Sequence, residues 1–163
     1  MKTRRFVCKD LDDLLPLIAD FRVALAALRG RSVDPDLPAA REELASYRGA
    51  GDPIYVAQTE AGALVGYLVC RVVDDVVWAE SLYVDPAYRR QGIAGALYGE
   101  AEALATALGG NTVYNWVHPN NEAIIAFLRH RGYTVLNLIE LRRPRPGETP
   151  MQEIAVGDQT FDY

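Results

Sequence analysis

Cysteine, lysine, histidine and long apolar runs are all scarce in this chain. Two cysteines, Cys8 and Cys70, cannot staple a chain of 163 residues. A disulfide framework and a cysteine-based metal site are therefore excluded, and a reducing, cytoplasmic setting is the default. No apolar run approaches the ~18–20 residues that span a bilayer. The basic start Met1–Arg5 is followed by no apolar h-region or small-residue cleavage site, so no signal peptide is expected. His118 and His130 have no acidic or cysteine partners at ligand spacing, so no metal site is expected. Lys2 and Lys9 are the only lysines, and arginine supplies the rest of the 17 basic residues within a net charge of −5. That balance excludes a sequence-wide footprint for nucleic acid but leaves room for a local anion site built from arginine.

What remains is globular material: half the residues are apolar and 24% are charged, enough for one domain over residues 1–163. Thr3 to Cys8 reads as a first strand. Asp12 or Asp13 then caps a helix carrying Leu14, Leu15, Ile18, Phe21, Leu25 and Leu28 at helical spacing, stopped by Gly30. Ser32–Pro38 reads as a loop and Ala39–Tyr47 as a short helix ended by Gly49. Strands are expected at Ile54–Gln58, Ala63–Val73 and Val76–Asp85, with Asp74-Asp75 as a tight turn, so the three form an antiparallel meander. A helix over Gly92–Leu108 buries Ile93, Leu97, Ala101, Leu104 and Leu108. Thr112–Val117 reads as a strand. Asn120 or Asn121 caps a helix to Arg131 with Gly132 as its C′ residue. Tyr133–Leu141 reads as a strand, Arg142–Pro150 as a loop and Met151–Tyr163 as a last strand. The crossovers imply a mixed α/β fold, a mostly antiparallel twisted sheet flanked by helices.

The densest signal lies where Leu82-Tyr83-Val84-Asp85-Pro86 ends a strand, Tyr88-Arg89-Arg90-Gln91 turns, and Gly92-Ile93-Ala94-Gly95 opens a helix. A helix N-terminus carries unpaired N–H groups and partial positive charge. Small residues let an anion reach that backbone, and Arg89 and Arg90 add charge, which is the physics of a pyrophosphate cradle. Small residues also mark close helix–sheet packing, so the pattern alone has two readings. Neither G-x-x-x-x-G-K-[ST] nor G-x-G-x-x-G is present, which excludes the nucleotide P-loop and the dinucleotide fingerprint.

Arg89-x-x-Gly92-x-Ala94 resembles the R/Q-x-x-G-x-G/A motif of the GNAT (GCN5-related N-acetyltransferase) family. Glu80–Pro86 resembles that family's fourth strand, and Val117–Phe127 with Gly132-Tyr133 its second signature. The resemblance implies an acetyl-CoA-dependent N-acetyltransferase acting on the primary amine of a small molecule or peptide. It implies that the backbone amides of Gln91, Gly92, Ile93 and Ala94, with Arg89 and Arg90, hold the pyrophosphate of acetyl-CoA. It also implies that Leu82, Tyr83 and Val84 pair with the pantetheine arm and that Asn121 lies near it, although Asn121 reads equally as a plain N-cap. A non-catalytic CoA-binding module and a transferase using another acyl-CoA are the alternatives.

An alkyl amine with a pKa near ~10.4 is mostly protonated at neutral pH, so the site must accept a proton before the nitrogen can attack a thioester. Glu80 is the candidate base, through water; period-2 alternation sets it on one face with Leu82 and Val84. The Val84 N–H is the candidate oxyanion donor by resemblance. The position where many family members carry an acidic tyrosine is here Leu128, which leaves Tyr114, Tyr83, His118 or water to protonate the sulfur. By resemblance the acceptor sits between Arg31–Pro38 and Arg142–Pro150, whose charges disagree. The alternating Ile154, Val156 and Phe161 suit addition to a partner's sheet, so a homodimer is expected, with neither nucleic acid nor membrane as partner.

Overall fold

The computed structural model describes residues 1–150 and 152–163. They divide into two compact units, Met1–Phe127 and Leu128–Tyr163. The first contains β1 (Lys2–Arg5), α1 (Leu11–Ala27), α2 (Leu37–Ala50), β2 (Ile54–Gln58), β3 (Leu64–Val73), β4 (Val76–Val84), α3 (Ile93–Ala107) and β5 (Tyr114–Asn115). The five strands form one sheet in the order β1-β2-β3-β4-β5. The first four pair antiparallel, and β5 joins β4 in parallel through the α3 crossover. A mixed, mostly antiparallel sheet flanked by helices is thus what the chain forms.

Two faces of this sheet are covered by different helices. Leu14, Leu15, Ile18 and Ala19 of α1 and Ala40, Leu44 and Tyr47 of α2 cluster with Val56, Tyr67, Val69 and Tyr83. Strand alternation turns Gly66, Leu68 and Cys70 to the opposite face, where α3 packs on β2, β3 and β4. A Cβ at Gly66 would lie 2.8 Å from the Tyr83 carbonyl oxygen, so only glycine permits this approach of β3 to β4. Burial lifts the Cys70 thiol to about 12, which leaves it inert.

Several boundaries differ from the sequence reading. The first strand stops at Arg5 because Cys8–Asp10 forms a short 3-10 turn, and Asp10 precedes α1 in place of Asp12 or Asp13. The Asp10 carboxylate accepts from both terminal nitrogens of Arg4, Nη1 and Nη2, at 2.6 and 2.8 Å, and from the Val7 N–H at 2.9 Å. These bonds, the Arg4 one foremost, hold its carboxyl below the usual range. The second helix starts earlier, because Asp36 caps it through the Ala39 N–H, and runs past Gly49 to the left-handed Gly51. The β3–β4 turn is as expected: Asp74 and Asp75 both have positive φ, 49° and 63°, the conformation that two-residue hairpins favour.

The fourth helix, α4 (Glu122–His130), begins in the first unit and ends in the second, with Gly132 at φ 90° beyond it. The expected strand over Tyr133–Leu141 does not form; Val135, Leu136, Leu138, Ile139 and Leu141 are exposed and without strand pairing. The expected strand over Met151–Tyr163 is instead a hairpin, β6 (Glu153–Val156) against β7 (Gln159–Asp162), and its expected first residue, Met151, lies outside the described residues. Arg142 is paired to Glu148 at 2.6 and 2.8 Å.

Candidate active site

The site grows from an irregularity in β4. Its antiparallel register to β3 runs Arg71↔Trp78 and Cys70↔Ala79, then Val69↔Ser81 and Tyr67↔Tyr83, so Glu80 is an extra residue. Such a bulge resets the side-chain alternation and twists the strand. Ser81 and Tyr83 consequently share a face with Tyr67, Val69 and Arg71, and Leu82 and Val84 face α3. Glu80 does not line up with Leu82 and Val84, as period-2 alternation predicts. It turns to Arg71, whose Nη2 donates to its Oε1 at 3.1 Å. Its Oε2 is buried and accepts no hydrogen bond, a costly state for a carboxylate oxygen in a finished structure.

The same strand is open along its far edge. Pairing with β5 is limited to Trp78↔Tyr114 and Ala79↔Asn115. The Asp85 N–H donates to the Val65 carbonyl at 3.0 Å. Alternation then turns the backbone of Tyr83 toward β3 and the backbones of Leu82 and Val84 toward the open edge. Arg89 reaches back to that edge, its Nε donating to the Val84 carbonyl at 2.9 Å and its guanidinium standing 5.6 Å from the Tyr83 ring centre.

Beyond the edge lies the start of α3. No side chain caps it, and its first intrahelical bond runs from the Ala96 N–H to the Gly92 carbonyl. The N–H groups of Ile93, Ala94 and Gly95 thus lack intrahelical acceptors. Arg90 is held at φ 61° and Gly92 at φ 80°. A Cβ at Gly92 would meet nothing within 4 Å, so the glycine serves the backbone angle and leaves open space before the helix end. Arg89, Arg90, Gln91 and Gly92 are all exposed. An uncapped positive helix end, two guanidinium groups and free space fit a diphosphate.

The other expected residues fall around this line. Tyr114 is half-buried on β5, its ring 5.0 Å from that of Trp78. Asn121 caps α4, its Oδ1 accepting from the Ile124 N–H at 3.3 Å. The His118 Nδ1 accepts the Asn120 N–H at 3.3 Å, and burial lowers its pKa, with Arg29 adding to the effect, so it is neutral at pH 7 and a poor acid. Leu128 is buried. Among the described residues no group of three His, Cys, Asp or Glu side chains could hold a metal ion, and no helix is long and apolar enough to cross a membrane.

Sequence reasoning missed a polar chain that runs from the exposed Arg22 inward to the buried Ser81 beside the bulge. The Tyr47 hydroxyl meets Ser81 Oγ at 3.1 Å and bonds Glu43, which takes Arg22 Nε at 2.5 Å. Burial, then the Glu43 bond, raises the Tyr47 pKa, so its hydroxyl stays protonated. It also missed Arg71. Counting back from the Asp74-Asp75 turn would have set Arg71 opposite Trp78, but nothing in the sequence marks the bulge that brings Glu80 to it.

A strand open along one edge, leading to an uncapped, glycine-started helix, has the shape and polarity to fit an extended donor ending in phosphates. The profile of the acetyltransferase (GNAT) family matches residues 21–133. The chain belongs to this family and is an N-acetyltransferase. No curated protein sequence matches it. Among solved structures it is similar to a GNAT-superfamily phosphinothricin acetyltransferase from Sinorhizobium meliloti in complex with AcCoA. The two are 25% identical with a TM-score of 0.65, over 80% of this chain and 73% of that one. It is similar in fold to the PaiA N-acetyltransferase from Thermoplasma acidophilum in complex with coenzyme A, at 18% identity and a TM-score of 0.67, over 80% and 87% of the two chains. A third similar fold is AAC(6')-Iy in complex with the bisubstrate analogue CoA-S-monomethyl-acetylneamine, at 18% identity and a TM-score of 0.66, over 88% and 97%.

Proposed function

We propose that the chain transfers the acetyl group of acetyl-CoA to the primary amine of a small molecule or peptide by direct attack on the thioester. One observation carries this reading: the open edge of β4 runs from the half-satisfied Glu80 to the uncapped start of α3. In it, the backbone N–H groups of Gln91, Gly92, Ile93 and Ala94, with Arg89 and Arg90, hold the pyrophosphate. The outward backbone of Leu82 and Val84 pairs with the amides of the pantetheine arm, Tyr83 supports Arg89, and Asn121 stands near the arm. The reading takes 1–163 as one acetyltransferase domain, of which the family match covers residues 21–133.

Glu80 takes the proton of the ammonium, directly or through water. The freed nitrogen pair forms the new C–N bond at the thioester carbon, and the Val84 N–H stabilises the oxyanion. Collapse breaks the C–S bond, the electron pair leaves on sulfur, and the attacking nitrogen, now cationic, sheds its second proton to water to give the neutral amide. Thiols ionise near pH ~8.5, so the thiolate departs readily and is protonated by water or by Tyr114. Positioning both reactants supplies much of the remaining acceleration. The reading includes a cytoplasmic homodimer without nucleic-acid or membrane partners, whose oligomeric state sedimentation velocity checks. Titration calorimetry with coenzyme A and thiol release from acetyl-CoA over an amine panel test the activity. Heat without thiol release from any amine would leave only a CoA-binding module, and thiol release from another acyl-CoA alone would change the donor.

A further inference from the structure

Resting on that reading, we infer that Trp116 and Trp78 form a stacking platform beside Glu80 and that the acceptor is an amine carried on a flat apolar body. The β4–β5 ladder stops at Ala79↔Asn115; one step further along both strands stand Glu80 and Trp116, unpaired across the mouth of the opening. Trp116 stacks on Trp78 with ring centres 4.5 Å apart and planes at 23°, and Trp78 in turn meets Tyr114. Arg71 ties the two halves together: its Nη2 bonds Glu80 Oε1 and its guanidinium lies 5.7 Å from the Trp116 ring centre. Despite these neighbours 61% of Trp116 remains exposed, an unusual state for the largest apolar side chain.

Charge selects the occupant. Arg71 is already engaged by Glu80, which leaves it less available to an anionic occupant. The Glu80 Oε2 is buried and without a partner in this corner. A cation there is favoured over an anion, and an exposed indole attracts both a cation and a flat ring. An ammonium on a short arm from an aromatic ring meets both demands, the nitrogen at Glu80 and the ring on Trp116.

The test is steady-state thiol release with saturating acetyl-CoA, comparing 2-phenylethylamine with n-butylamine for the wild type, Trp116→Ala and Trp116→Phe. The wild type should prefer the aryl amine about tenfold in kcat/KM, through KM. Trp116→Ala should remove that preference while coenzyme A heat stays unchanged, and Trp116→Phe should keep part of it. Equal use of the two amines by the wild type, or a preference that survives Trp116→Ala, overturns the platform while coenzyme A heat and thiol release keep the enzyme reading intact. Absence of both coenzyme A heat and thiol release overturns the enzyme reading and the platform with it.

Discussion

Two arginine–carboxylate pairs stand at opposite ends of one sheet and differ in how completely they are closed. Beside β1, Asp10 is buried and all its demands are met: two bonds from Arg4 and one from the Val7 N–H. Beside β5, Glu80 has one bond from Arg71 and a buried oxygen without a partner. The helix starts differ as well: Asp36 caps α2, whereas α1 and α3 have no side-chain cap. The closed end spends its polar groups on folding. The open end leaves a carboxylate oxygen without a partner, a strand edge unpaired and a helix terminus without a side-chain cap, and under the proposed function these are the groups that meet donor and acceptor.

The largest effect should come from filling the open helix end. Gly92→Glu places a carboxylate before the N–H groups of α3 and strains a backbone at φ 80°. Coenzyme A affinity by calorimetry should fall at least 100-fold while circular dichroism stays native; retained affinity would remove the cradle. Glu80→Gln comes next. Turnover should fall about 100-fold, the usual scale for a general base, with coenzyme A affinity and melting temperature nearly unchanged. A large loss of stability would make Glu80 a second Asp10 and erase the contrast.

Asp10→Asn should do the reverse, costing about 2 kcal/mol in urea unfolding, the scale of hydrogen bonds to a charged group, and leaving turnover intact. Because the native pKa of Asp10 is lowered, its contribution is complete above the ordinary carboxylate value of ~3.9 and is lost as pH falls through the native value. Wild-type stability should therefore converge on that of Asp10→Asn only at strongly acidic pH. Asp36→Ala should be smallest, about 1 kcal/mol for a lost cap, measured by the same unfolding.

The legible parts of the molecule were those written in local chemistry. The meander could be read because Asp74-Asp75 turns and Val-rich runs flank it, and the glycine-started helix because Gly92, Ala94 and Gly95 follow a strand. The face of Glu80 was not legible: a bulge depends on how two strands mesh, and β4 carries no proline or glycine to mark it. Arg71 and Tyr47 were invisible as partners because they come from β3 and α2 and meet β4 only after packing. The apolar run Tyr133–Leu141 has strand composition, yet composition names no pairing edge, and none is taken there.

The two aspartates at the tip of the β3–β4 hairpin also act as a ruler. They fix where the chain reverses; the oppositions Arg71 to Trp78 and Cys70 to Ala79 are counted from that point, and those from Val69 and Ser81 to Gly66 and Val84 from it plus the one-residue offset at Glu80. Adding or removing a single residue at this remote tip would throw the far end out of phase, swinging Ser81 and Tyr83 to the side now occupied by Leu82 and Val84. The loop with no part in the chemistry is thus the one whose length the chemistry can least spare.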